Sequence, residues 1–346
     1  MCETAGPLIV GFDGLELSAE WRDRLCHPAV GGVILFGRNF ESFEQMRALT
    51  ESIRDLKTPR LLITVDQEGG RVQRFKGSEL TRLPALGLIG RWFERHPDRA
   101  RDLAYRHGRV MAAEMLALGV DLSWAPVLDL DRGSRVIGDR ALAADPATVC
   151  DLASFYLAGM KDAGMAACGK HFPGHGSVEA DSHTEAVTDA RERAALEDDL
   201  RPFADLSDRL AAVMMAHVCY PAVDPQPAGY SSRWIGEELR DDLGFRGLVV
   251  SDDLDMVGAA SAGPLERRLT RAFEAGCDLA LVCKPQSVVE LLEEASGDNL
   301  DGRFRPPAER LAGLYGRPML SMAEQLLVPE FRAWRESLET LSGDDQ

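Results

Sequence analysis

Eight short apolar runs recur along the chain, at 8–12, 32–36, 61–65, 120–127, 165–168, 211–215, 248–250 and 279–283, and each gives way to glycine, asparagine, aspartate or another polar residue. The runs are continuous rather than alternating. That is the pattern of strands buried on both faces, as in a parallel sheet covered by helices. The stretches between them carry a helical period. The clearest begins at Asp145, an N-cap residue followed by Pro146 at the first helical position. Val149, Leu152, Ala153, Tyr156, Leu157 and Met160 then share one face, and Gly164 is placed to end the helix. Further helices are predicted at 41–57, 97–118, 191–208, 232–243, 264–275 and 286–297, with a shorter one at 18–26. Eight such units in succession predict a single-domain α/β fold, a (β/α)8 TIM barrel, over residues 1–300. A doubly wound open sheet is the competing architecture. No run is followed by the Gly-x-Gly-x-x-Gly turn of a dinucleotide site. Residues 301–346 are expected to form one or two helices packed outside the barrel, ending in an acidic tail.

Composition narrows the function classes. The chain has 346 residues, 45% of them hydrophobic, enough for one large core. No apolar stretch approaches the ~20 residues of a membrane span, and the first residues lack the pattern of a signal peptide. Seven cysteines without Cys-x-x-Cys pairs read as reduced thiols in a cytoplasmic protein. A net charge of -17 argues against nucleic acids and anionic membrane surfaces as partners. A monomer is the default expectation.

The unusual polar residues fall where the strands end. Asp13 follows the first run, Arg38 and Asn39 the second, and Asp66, Glu68, Arg71 and Arg74 the third. Asp129, Asp131 and Arg140 follow the fourth, Lys170, His171, Asp181 and His183 the fifth, His217 the sixth, Asp252 and Asp253 the seventh, and Lys284 the eighth. Barrel enzymes build their sites at this end of the strands. The stretch 168–183, Cys-Gly-Lys-His-Phe-Pro-Gly-His-Gly-Ser-Val-Glu-Ala-Asp-Ser-His, is the densest: it carries three of the seven histidines beside Lys170 and Asp181. Helix caps or turns would account equally well for Asp13, Asp129, Asp131, Asp253 and Lys284. The convergence of the others points to an enzyme with a polar, Arg- and Asp-lined pocket. Three chemistries compete for it. A metal hydrolase would use His and Asp as ligands, but the first strand has no histidine and the Lys170 ammonium would repel a cation. A Schiff-base lyase would use Lys170 as nucleophile. Glycoside transfer needs a nucleophilic carboxylate, a proton donor and groups that hold sugar hydroxyls.

Lys170-His-Phe-Pro-Gly-His-Gly176, Asp181-Ser-His183, Asp66-Gln-Glu-Gly-Gly-Arg-Val-Gln-Arg74 and Ser251-Asp-Asp-Leu-Asp-Met256 resemble glycoside hydrolase family 3. Within it the chain is most similar to the single-domain bacterial β-N-acetylglucosaminidases of peptidoglycan recycling. The likeness runs from about Leu8 to Cys283 and includes Pro-Val-Leu-Asp-Leu130, Ile137-Gly-Asp-Arg140 and Met215-Ala-His-Val218. The resemblance implies a retaining exo-β-N-acetylglucosaminidase without cofactor or metal. Its substrate would be a small amino-sugar fragment of peptidoglycan, GlcNAc-1,6-anhydro-N-acetylmuramic acid with or without peptide. Asp252 matches the nucleophile and His183 the acid/base, with Asp181 orienting His183. Asp66, Arg74, Arg140, Lys170 and His171 match residues that hold the sugar, and His217 is expected to line the same pocket. Asp253 is left unassigned, because a strand should point it away from Asp252. Glu68, Arg71, His175 and Lys284 are left as supporting residues. Asp139 departs from the pattern, standing where a glutamate is expected, which bears on packing around Arg140. Open alternatives are a mechanism in which the substrate's acetamido group is the nucleophile, phosphate rather than water as acceptor, and a non-catalytic sugar-binding protein.

Overall fold

A computed structural model describes residues 5–178, 187–294 and 304–343. The main sheet has eight strands: β1 (Leu8–Val10), β2 (Val30–Leu35), β3 (Leu62–Val65), β4 (Leu122–Ser123), β5 (Cys168–Phe172), β6 (Ala212–Met215), β7 (Leu248–Asp253) and β8 (Leu279–Val282). They lie in chain order, β1 flanked by β2 and β8, and every pairing is parallel. The ring closes between β4 and β5, where Val127 bridges Lys170 and Leu128 N–H donates to the Lys170 carbonyl at 2.7 Å. The architecture is a (β/α)8 barrel rather than an open sheet.

Side chains from alternate positions fill the interior, among them Ile9, Ile34, Leu62, Trp124, Met214, Val250 and Leu281. A second core lies between strands and helices, with Val10, Val33, Ile63, Val213 and Val249 facing the helical layer. Both faces are thus buried, which is why the strand sequences read as unbroken apolar runs. The helix Pro146–Ala163 has the expected ends: Asp145 accepts from Thr148 N–H at 2.8 Å, and Gly164 takes a left-handed φ of 96°.

Several elements differ from expectation. The fourth strand is only Leu122–Ser123, and past it the chain keeps single bonds to β5, the Ala125 and Pro126 carbonyls accepting from Cys168 N–H and Lys170 N–H at 2.8 and 3.2 Å. The fifth does not stop at Cys168 but continues to Phe172, so Lys170 and His171 are strand residues. The seventh likewise runs on through Asp252 to Asp253. A helix at Leu86–Phe93 was not anticipated, and the stretch predicted at 191–208 is a short turn, Arg193–Leu196, leading into a helix at Glu197–Asp205.

Beyond the eighth unit the described residues form three helices, Ala308–Ala312, Met322–Leu327 and Pro329–Gly343. They do not all sit outside the barrel. Leu311 and Leu314 join the interior cluster together with Ala5, and the Tyr315 hydroxyl donates to the Arg60 carbonyl at 2.7 Å. The last helix lies against Pro97–Ala117, where Arg335 reaches buried Glu114 at 3.0 Å. Among the described residues no helix is long and apolar enough to cross a membrane.

Candidate active site

A cavity of about 750 Å³ opens at the C-terminal ends of the strands. Asp66, Glu68, Arg74, Arg140, Lys170, His171, Asp252 and Asp253 all line it, with Phe36, Met214 and Leu281 among the apolar wall residues. Two irregularities in the sheet bring in adjacent side chains that a regular strand would send to opposite faces. The pairing of β5 with β6 slips between Lys170 and Phe172, and that of β7 with β8 slips between Val250 and Asp253. Bulges of this kind re-aim side chains. They place Lys170 and His171 on one wall and Asp252 and Asp253 on another. The expectation that Asp253 would point away from Asp252 fails for this reason.

One group of charges is a buried cation–carboxylate cluster. Lys170 Nζ lies 2.7 Å from Asp66 Oδ1 and 2.6 Å from Glu68 Oε1. Arg140 grips Glu68 with two parallel bonds of 2.8 Å, from Nε to Oε2 and from Nη2 to Oε1. Burial alone would push the Glu68 carboxyl up. The Arg140 and Lys170 charges outweigh it and hold the group well below the usual carboxylate range. Burial similarly opposes the Lys170 charge, and Asp66 and Glu68 outweigh it, so the ammonium is held more firmly than in water. Arg74 stands at the open edge, 3.9 Å from Asp66 and over the Phe36 ring at 5.6 Å.

The other group runs from Asp129 through His171 to Asp252. His171 Nδ1 lies 2.7 Å from Asp129 Oδ2, and its Nε2 faces Asp252 Oδ2 at 4.0 Å. Asp252 Oδ1 accepts from the Asp253 N–H at 2.7 Å. Asp253, half-buried like Asp252, is held by backbone donors. Burial, reinforced by the Asp255 charge, pushes it up to about 7, while its Oδ1 accepts from Asp255 N–H and Cys283 N–H at 3.0 and 3.1 Å. The two neighbours therefore differ in kind: Asp253 ties β7 to β8, and Asp252 presents itself to the cavity.

Asp66, Arg74, Arg140, Lys170, His171 and Asp252 are thus brought together. His217 does not line the cavity. It is buried beneath it with Nε2 3.1 Å from the Asp253 carbonyl, and Nδ1 has no hydrogen-bond partner among the described residues. Burial pulls its imidazole below the ordinary histidine value. Asp181 and His183 lie outside the described residues. Asp139 pairs with Arg71 at 3.2 Å, so the departure at that position concerns Arg71 and not Arg140. Lys284 and the Asp13–Arg38 pair also lie off the cavity wall. Sequence reasoning undervalued Asp129 and Glu68. The available signal was an acid close behind an apolar run in each case, Asp129 after 120–127 and Glu68 after 61–65. Among the described residues no group of three His, Cys, Asp or Glu side chains could hold a metal ion.

A barrel-top pocket that pairs an accessible carboxylate with cations and acids fixed for hydroxyl binding is the site of a glycoside hydrolase. Residues 7–302 match the glycosyl hydrolase family 3 N-terminal domain, and the chain belongs to that family. It is 53% identical over 345 residues to a β-hexosaminidase of Alkalilimnicola ehrlichii, covering 98% of this chain and 97% of that one. A β-hexosaminidase of Bordetella avium is 50% identical over 321 residues, 90% of each chain. Among solved structures, NagZ from Neisseria gonorrhoeae in complex with N-trifluoroacetyl-D-glucosamine superposes with a TM-score of 0.89 at 41% identity, covering 98% of both chains.

Proposed function

We propose that this glycoside hydrolase is a retaining exo-β-N-acetylglucosaminidase that removes terminal GlcNAc from peptidoglycan fragments in the cytoplasm, as a step of cell-wall recycling. The observation that carries the reading is the convergence of Asp252 with Asp66, Arg140, Lys170 and His171 on one cavity. The β-hexosaminidase relatives and the N-trifluoroacetyl-D-glucosamine complex of the gonococcal protein support the choice of amino sugar. The substrate class is GlcNAc-1,6-anhydro-N-acetylmuramic acid, with or without peptide.

In this mechanism Asp66, Arg74, Arg140, Lys170 and His171 hold the hydroxyls and acetamido group of the sugar. An Asp252 carboxylate oxygen attacks the anomeric carbon as the bond to the leaving oxygen breaks, and His183 gives its proton to that oxygen. Water then attacks the glycosyl ester, His183 takes a proton from it, and Asp252 leaves with GlcNAc in its original configuration. A histidine suits both steps because it titrates near neutrality without help, and Asp181 sets its tautomer. No metal is needed, since Lys170 already neutralises the Asp66 and Glu68 carboxylates a cation would seek. The test is release of 4-nitrophenol from its β-N-acetylglucosaminide, with the β-glucoside as control and with chelator added. Equal rates on the two glycosides, or loss of activity on chelation with recovery on added zinc, refute the proposal.

A further inference from the structure

Asp129 has no side-chain exposure, and it accepts three N–H groups from the strand end that carries the sugar-holding residues. Its Oδ2 meets the His171 ring at Nδ1, 2.7 Å away. The His171 backbone N–H is 3.3 Å from both oxygens, and the His175 N–H donates to Oδ1 at 2.6 Å. The backbone also folds back here, Gly174 N–H donating to the His171 carbonyl at 2.8 Å. One carboxylate therefore fixes both the ring of His171 and the backbone of the turn that follows it.

We propose that Asp129 is a positioning residue of this enzyme: it holds the hydrogen of His171 on Nδ1 and turns Nε2 toward Asp252 and the bound sugar. A buried carboxylate can only accept, so the ring nitrogen facing it must donate. The remaining nitrogen is then set by the same bond. The 4.0 Å from Nε2 to Asp252 Oδ2 is too long for a direct hydrogen bond, so Nε2 is left to face the cavity beside the Asp252 carboxylate, where the proposed sugar would present its acetamido group. Burial alone would neutralise Asp129. The His171 ring and the His175 N–H outweigh it and hold the carboxyl below its ordinary value. An asparagine in its place presents an amide N–H₂ to one of these donors and accepts through one oxygen only.

This inference rests on the reading that His171 contacts substrate, and the experiment separates the two. The ring nitrogens of His171 are followed by ¹⁵N NMR in the free, ¹⁵N-histidine-labelled enzyme, assigned with His171→Ala. Hydrogen on Nδ1 in the wild type, and a changed pattern in Asp129→Asn, is the expected result. An unprotonated Nδ1 in the wild type overturns the proposal whatever the substrate is, and needs no folded variant. The kinetic arm uses any aryl glycoside the enzyme turns over. Asp129→Asn should lose roughly 10- to 100-fold in kcat/KM, the worth of one hydrogen bond to a charged group. In a His171→Ala background the same change should cost less than about threefold, because coupled residues are not additive. A full further loss there, at unchanged thermal stability, shows that Asp129 does not act through His171 and overturns the proposal. Failure to hydrolyse N-acetylglucosaminides, with the NMR result intact, removes the proposed activity and leaves the positioning role standing.

Discussion

Glu68→Gln removes one negative charge from beneath two cations and leaves the shape of the side chain unchanged. In the wild type Arg140 makes two bonds of 2.8 Å to Glu68 and a longer one to the Val136 carbonyl at 3.3 Å. Lys170 loses its 2.6 Å contact with Glu68 and keeps Asp66 at 2.7 Å. Removing one partner of a buried ion pair costs about 3–5 kcal/mol, because the orphaned charge stays desolvated. Arg140 bears most of that cost here, and the amide oxygen recovers one bond. The expected loss is therefore at the lower end, about 3 kcal/mol, a large part of the ~5–15 kcal/mol that holds a typical protein folded. Urea unfolding at pH 7 followed by circular dichroism measures it. Activity should fall with it, by at least about tenfold in kcat/KM, since hydrogen bonds to charged groups are worth about 1.5–3 kcal/mol and both cations are assigned to the sugar. A stability loss below about 1 kcal/mol with unchanged kcat/KM would show that the two cations neither need Glu68 nor are aimed by it.

Three further outcomes are expected. Asp252→Ala should abolish turnover, and a 2-fluoro sugar should label Asp252 in the wild type; mass mapping of the label to Asp253, the neighbouring carboxyl pushed up to about 7, would remove Asp252 from the nucleophile's role. His183→Ala should lose ~10²–10⁴-fold on substrates with poor leaving groups and much less on activated aryl glycosides, with a burst as the intermediate accumulates; an equal loss across a leaving-group series and no burst excludes general acid catalysis by His183. Burial raises the Glu114 carboxyl to about 7, so between its ordinary value and 7 the folded state binds more protons than the unfolded one. Stability should fall as pH rises through that window, and Glu114→Gln should flatten the slope; parallel wild-type and variant stability curves from pH 5 to 8 would contradict it.

The barrel was legible because each strand is buried on both faces, and burial writes itself as apolar runs. The strand ends were not, for the same reason. Lys170, His171, Asp252 and Asp253 continue the backbone ladder, but their side chains face a polar cavity, so periodicity stopped reading them as strand. The bulges that turn neighbours to one side depend on how two distant strands slide past each other, which no local pattern records. Residues that touch the cavity announced themselves by type and position. Asp129 and Glu68 are almost wholly buried and act by holding others, so their worth appears only with their partners: His171 in one case, Arg140 and Lys170 in the other. His217 was drawn toward the sugar for being a histidine at a strand end, when its place is under the Asp253 carbonyl.

The floor of the barrel has a consequence for how the protein is made. Ala5 meets Leu311 and Leu314 in the same interior cluster, although about 300 residues of chain separate them. Until Leu314 has left the ribosome, Leu62, Leu248 and Leu279 lie at the mouth of an unsealed cylinder. Local βα units can form during synthesis, but the cylinder cannot be finished in order from its first residue. A nascent chain of this protein therefore carries exposed apolar strand surface through most of its elongation, and an unsealed opening after its eighth strand has emerged, the stage at which such surfaces recruit chaperones or aggregate.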